Sequence, residues 1–220
     1  SGEPLCLRAA RRLQEAIGPG GRVFLITGFV FEPHGKGELD GLTGTALLIR
    51  ALLQMDATLT PVVFCETAIA PAMSAVLHAA GVNVYSTPEE ADPLPVAAAV
   101  VGIPSDEGQS RAIWEPLLSA CPPRAMIAVE KPGQNAAGVY HQGTGIDVSR
   151  HCARVDGLFE ACAAAGIPTF AVGDLGNEIG MAAIASTIRR YIPLGETCAC
   201  GCGGGICVRT EAEHLVVAAT

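Results

Sequence analysis

The densest chemistry in the chain is the string Gly173-Asp174-Leu175-Gly176-Asn177-Glu178-Ile179-Gly180-Met181, which directly follows the apolar run Thr169-Phe170-Ala171-Val172. An acid at a strand end, glycines that let the backbone approach a ligand, and an Asn-Glu pair opening a helix near Glu178 would place two carboxylates at a tight turn. Taken alone, the same string also fits a plain helix start capped by Asn177 or Asp174. Two further strand ends carry acids. Thr27-Gly28-Phe29 closes the first apolar run and leads to Glu32, His34, Lys36, Glu38 and Asp40. The run ending at Val129 leads to Glu130, Lys131, Gly133, Gln134, Asn135 and Tyr140. Carboxylates gathered from three strand ends can do general acid–base work or hold a hard divalent cation such as Mg²⁺ or Mn²⁺.

The cysteines form a second concentration. Of the 9, Cys6, Cys65, Cys121, Cys152 and Cys162 stand singly and are expected as reduced thiols in or near the core. The others form the run Cys198-x-Cys200-x-Cys202-x4-Cys207 in a Gly-rich segment. Thiols this close can bind Zn²⁺ or Cu⁺, although structural zinc sites more often use two separated pairs. A disulfide or an exposed loop satisfies the same spacing. Among the histidines, His141 is the better candidate to touch a ligand, while His34 fits a solvated loop equally well. Tyr140 could stack on or hydrogen-bond a ligand, or anchor its loop.

Strands and crossover helices must position these groups. Apolar runs at 22–27, 61–65, 82–85, 96–103, 125–130 and 169–173 read as strands. Helical periodicity covers 41–55, 70–80, 109–118 and 156–165, with a further helix starting near Glu178. This alternation predicts an α/β fold: three layers, a mostly parallel sheet with helices on both faces, Rossmann-like, in a single domain over 1–220. In such sheets ligands bind beyond the carboxyl ends of the strands, which is where the acids fall. The loop 131–149 lacks apolar periodicity and is long enough to be functional or disordered.

Composition narrows the classes. Half of the 220 residues are hydrophobic and 16% are charged, a profile that buries a core. With 14 Lys and Arg against 22 Asp and Glu, and no basic run, nucleic-acid binding is disfavoured. The mean hydropathy of +0.38 is positive, but the most apolar stretch, 95–104, is too short to span a bilayer. No membrane partner is expected, and the scattered single thiols suit the cytoplasm.

The segments Thr27-Gly28-Phe29, Gly37-Glu38-Leu39-Asp40-Gly41, Val129-Glu130-Lys131-Pro132-Gly133, Gly138-Val139-Tyr140 and 173–181 together resemble the D-glutamate cyclase family, in its C-terminal, catalytic-type domain. The resemblance runs from about Arg22 to the end of the chain. It implies a small-molecule substrate and an ATP-independent ring closure. The amine of D-glutamate attacks its own side-chain carboxyl, giving 5-oxo-D-proline and water. It implies catalytic roles for Asp174, Glu178, Glu130 and Lys131, and substrate contacts from Thr27, Gly28, Asn177, Gly133 and Tyr140. It also implies Mn²⁺ or Mg²⁺ on Glu38, Asp40 and Asp174, with no nucleotide. Two other classes use the same acids: a non-catalytic module binding a small carboxylate, and a metal-dependent hydrolase of a phosphate or amide.

Overall fold

A computed structural model describes residues 2–31 and 36–218, so Glu32 and His34 lie outside the described residues. The elements run in order as helix α1 (Leu5–Ala16), strands β1 (Gly21–Thr27), β2 (Val30–Phe31) and β3 (Lys36–Gly37), α2 (Asp40–Met55), β4 (Leu59–Glu66), α3 (Ala70–Ala79), β5 (Asn83–Tyr85), α4 (Pro88–Ala91) and β6 (Ala97–Ile103). They continue as α5 (Glu107–Ala120), β7 (Met126–Val129), α6 (Asp156–Ala164), β8 (Thr169–Gly173), a 3₁₀ turn (Ala182–Ile184), α7 (Ala185–Tyr191) and β9 (His214–Val217).

Seven strands form one sheet in the order β5-β6-β4-β1-β7-β8-β9, and every pairing in it is parallel. Side chains alternate across a strand, so β1 feeds two cores. Val23 and Leu25 pack with Leu42, Ile49 and Leu52 of α2 and Met73 and Leu77 of α3. Phe24 and Ile26 pack on the other face with Trp114 of α5 and Leu158 and Phe159 of α6. Each such fully buried side chain contributes roughly 1.5–3 kcal/mol of transfer free energy. The three-layer, parallel α/β arrangement predicted from periodicity is therefore present. Among the described residues no helix is long and apolar enough to cross a membrane.

From β1 the chain builds outward through β4 to β5 and β6, then returns to place β7, β8 and β9 on the other side of β1. The reversal falls between β1 and β7, and a crevice opens beyond the carboxyl ends of strands at such a point.

Several expectations need correction. No helix begins near Glu178: helical structure starts with the 3₁₀ turn at Ala182 and becomes α-helical at Ala185. The backbone there is engaged elsewhere, because Glu178 bridges to Pro132, and Gly180 and Met181 bridge to Glu211. The short helix α4, which periodicity does not reveal, is capped by Thr87 with Glu90 reaching back in a capping box. Cys6 is exposed rather than near the core, whereas Cys65, Cys152 and Cys162 are buried. Burial pushes each of these three thiols up to about 12.

Candidate active site

A cavity of about 290 Å³ lies where the ends of β1, β7 and β8 meet, and Glu38, Asp40, Glu130, Asp174 and Glu178 all contribute to its wall. Asp40 opens α2 and Glu38 stands just before it; Glu130 follows β7; Asp174 and Glu178 follow β8. Phe29, Phe31, Pro132 and Leu175 supply apolar wall, and Gln142, Gly143, Thr144 and Asn177 complete it. None of the described lining residues is cationic.

Local structure crowds these acids together. Glu130 has a left-handed backbone, φ 47°, a costly conformation for a non-glycine residue that persists only where its surroundings impose it. Its N–H donates to the Val172 carbonyl at 3.0 Å, tying the end of β7 to β8. Gly173 makes room for the next acid: a Cβ there would stand 2.8 Å from Cβ of Glu178. The Glu178 carboxylate accepts the Gly176 N–H at 2.9 Å, which fixes its direction within the turn.

The charge environment follows from this crowding. Burial, then the nearby Glu178, Asp174, Asp40 and Glu38, push the Glu130 carboxyl up to about 8. Burial pushes Glu178 up to about 7, with Asp174 adding to the rise and the Gly176 hydrogen bond opposing it. Glu38 is raised by burial, Asp40 and Asp174. Carboxylate oxygens of Glu130, Asp174 and Glu178 lie within 4.8 Å of one another. Oε1 of Glu130 is buried without a hydrogen-bond partner. Three neighbouring hard oxygen donors suit Mg²⁺ or Mn²⁺ rather than a soft metal. Of the acids assigned to a metal from sequence, only Asp174 belongs to this trio; Glu38 and Asp40 share the cavity wall outside it.

Lys131 takes a different place from the one expected. It is fully buried and absent from the cavity wall. Its ammonium is paired with Glu66, the last residue of β4, and donates to the Gly28 carbonyl at 3.2 Å. Gly28 has φ 105°, and a Cβ there would fall on the Glu66 carboxylate, so glycine is required for this pair to form. Thr27 is likewise buried outside the wall.

The amino-acid sequence, compared with known proteins, matches a family. A family described as D-glutamate cyclase-like, C-terminal, matches residues 3–220. The chain belongs to this family. It is also similar to the human protein named D-glutamate cyclase, mitochondrial, at 34% identity over 94 residues. Those residues are 42% of this chain and 14% of the human protein.

In this D-glutamate cyclase-like chain the loop 131–149 is ordered, held by bridges from Pro132 to Glu178, Gln134 to Tyr140, Asn135 to Val208 and His141 to Asp147. Tyr140 is an anchor beneath the cavity, not part of its wall. Its hydroxyl donates to Asp156, the first residue of α6, and Asp156 also accepts the Gln134 N–H at 2.8 Å. Arg154 lies over the Tyr140 ring, 4.6 Å from its centre. Gly133 is buried outside the wall, packed near Ile179 and Val208. Asn177 does line the cavity, and its amide donates to the His141 carbonyl at 3.1 Å. His141 itself faces away from the cavity toward Cys200 and Cys202. Cys207 stands apart from the other clustered thiols, buried and directed at the Val208 carbonyl.

Glu66 and Asp156 are the two acids that sequence reasoning passed over. Each sits at an element boundary, Glu66 ending a strand and Asp156 opening a helix. An acid at a helix start reads as an ordinary stabiliser of the helix dipole.

Proposed function

We propose that this chain closes D-glutamate into 5-oxo-D-proline and water. The observation that carries the reading is the acid-walled cavity at the β1–β7 switch point in a member of this family. The volume of about 290 Å³ suits a small amino acid. Phe29, Phe31 and Leu175 offer an apolar wall for its methylenes.

Ring closure requires the substrate ammonium to lose two protons and the attacked carboxyl to lose one oxygen. Both protons leave with that oxygen as water, so a side chain that carries them from nitrogen to oxygen ends where it began. Glu38 lines the cavity outside the close trio and has a raised proton affinity, which suits it to this shuttle. Asp40 beside it draws in the ammonium. Asn177 and Gln142 present amide groups to the substrate, and the wall as a whole holds the chain folded back on itself. Positioning of this kind supplies much of the rate in a unimolecular closure.

An anionic substrate in a wall of carboxylates needs a counter-charge. Glu130, Asp174 and Glu178 would hold a divalent cation, which when bound supplies that charge and polarises the attacked carboxyl. Lys131, beneath, keeps Glu66 compensated and so positions Gly28 and the end of β1.

The test is incubation with D-glutamate, L-glutamate and both enantiomers of 5-oxoproline, with Mn²⁺ or Mg²⁺ and with chelator, followed by NMR. Metal-dependent interconversion of D-glutamate and 5-oxo-D-proline is expected. No turnover in either direction with either metal overturns the reading, and hydrolysis of phosphate esters in its place would assign the acids to a hydrolase.

A further inference from the structure

We propose that His141, Cys198, Cys200 and Cys202 form a structural zinc site, separate from the carboxylate trio, that pins the C-terminal Gly-rich loop to the loop forming the cavity wall. One ring nitrogen of His141 and the three sulfurs all lie within 4.8 Å of one another. The Sγ of Cys198 is 3.0 Å from that of Cys200 and 3.3 Å from that of Cys202, and His141 Nε2 is 3.2 Å from Cys200 and 3.8 Å from Cys202. Tetrahedral zinc with Zn–S bonds of about 2.3 Å and Zn–N bonds of about 2.0–2.1 Å holds its donors roughly 3.5–3.8 Å apart. The donor separations therefore need to change by about 0.2–0.8 Å to surround an ion.

The donor set also matches. Three thiolates and one imidazole are one of the recurrent closed zinc sets, and soft sulfur donors distinguish this site from the all-oxygen trio. His141 provides an independent sign of a ligand. It is 1% exposed, and from a distant loop its Nε2 is aimed at the sulfurs of Cys200 and Cys202. Surrounding groups hold the ligands in place as outer partners of a metal do. Asn135 donates to the Cys202 sulfur at 3.5 Å and to the Gly205 carbonyl at 2.8 Å. Asn177 holds the His141 carbonyl, and the Cys198 N–H donates to the Gly204 carbonyl at 2.9 Å, closing the loop around the thiols.

Binding is a ligand exchange without redox: Zn²⁺ sheds water, and each coordinating thiol releases its proton to solvent. Four protein ligands leave no position for substrate or water, so the ion is structural. Its leverage on the cavity is direct, because Gln142, Gly143 and Thr144 of the wall follow His141 in the chain.

Full-length protein is reduced, stripped with chelator, and loaded with Zn²⁺ or Co²⁺ in excess Mg²⁺, with metal content read by elemental analysis and native mass spectrometry. One Zn²⁺ per chain is expected, and Co²⁺ should give the intense visible bands and sulfur-to-metal charge transfer of a tetrahedral thiolate site. Cys200→Ser and His141→Ala should lose stoichiometric metal, and Asn135→Ala should weaken it by about 10–100-fold. Cys207→Ser and Asp174→Asn should bind as the parent does. Absence of metal from the reduced parent protein overturns the proposal, as does a cobalt spectrum without thiolate bands, which needs no variant to fold. Loss of the metal in Asp174→Asn or Cys207→Ser overturns it equally.

Discussion

The Lys131 ammonium and the Glu66 carboxylate form an ion pair with both side chains buried, bridging the segment after β7 to the end of β4 beneath the acid-walled cavity. Glu66 also accepts the Ala153 N–H at 3.1 Å, so the pair is stitched to the chain entering α6. Removing one partner strands the other charge in a poorly solvated place. Lys131→Met is expected to cost about 3–5 kcal/mol in denaturant unfolding, with Glu66→Gln/Lys131→Met recovering part of that loss. A single variant as stable as the parent would show that the pair carries no such charge.

Glu38 and Asp174 should separate in their kinetics. Glu38→Gln should lower D-glutamate turnover by about 100-fold or more while Mn²⁺ binding by calorimetry stays near that of the parent. Asp174→Asn should weaken Mn²⁺ binding itself. Equal loss of metal in both variants would move Glu38 into the cation site.

Glu130 and Glu178 make the metal-free protein sensitive to alkali. Folding raises both proton affinities, so between the ordinary Glu value near 4.3 and about 7–8 the folded chain holds protons that the unfolded chain has lost. Their contribution is full at the acid end and is lost as pH rises through 7–8, by up to about 1.4 kcal/mol per pH unit for each group. His141, whose proton affinity burial lowers, acts oppositely as pH rises toward 6.5. The clean measurement is the difference between Glu130→Gln and the parent in chelator. Glu130→Gln should be the more stable at pH 8, by a margin that shrinks toward pH 5. Mn²⁺ should reverse the order. A difference independent of pH would mean that Glu130 titrates normally.

Tyr140→Phe removes the donor from the buried Asp156 carboxylate. Burial already raises the proton affinity of Asp156, so the change should cost about 1–3 kcal/mol by thermal or chemical unfolding. Turnover per folded molecule should hold, since the ring is outside the cavity wall. A large fall in kcat with unchanged stability would put Tyr140 in contact with substrate.

Periodicity made the layers legible: alternation such as Val23-Phe24-Leu25-Ile26, between two packed faces, leaves few alternatives to a buried parallel strand. Location at strand ends was enough to bring Glu38, Asp40, Glu130, Asp174, Asn177 and Glu178 to one cavity. Orientation was the hidden part. Glu130 and Lys131 are adjacent in the chain but serve the cavity and the interior respectively, and the partner that draws Lys131 inward is 65 positions away. Long-range partnership likewise exchanged Cys207 for His141 beside the clustered thiols, since spacing along a chain says nothing about which distant loop returns to it. The helix near Glu178 was misread because two glycines and an Asn-Glu pair suit a bridged turn as well as a helix start.

The central register of the sheet has a kinetic consequence. Ile26 pairs with Ala128 across the switch point, about a hundred residues further along the chain. The cleft therefore has no floor until a highly non-local parallel pairing has formed, the slow class of event in folding. A nascent chain that has completed β1 through β6 already holds four strands of the main sheet yet only part of the acid wall. Competence for chemistry should thus arrive late and abruptly, as β7 and β8 dock.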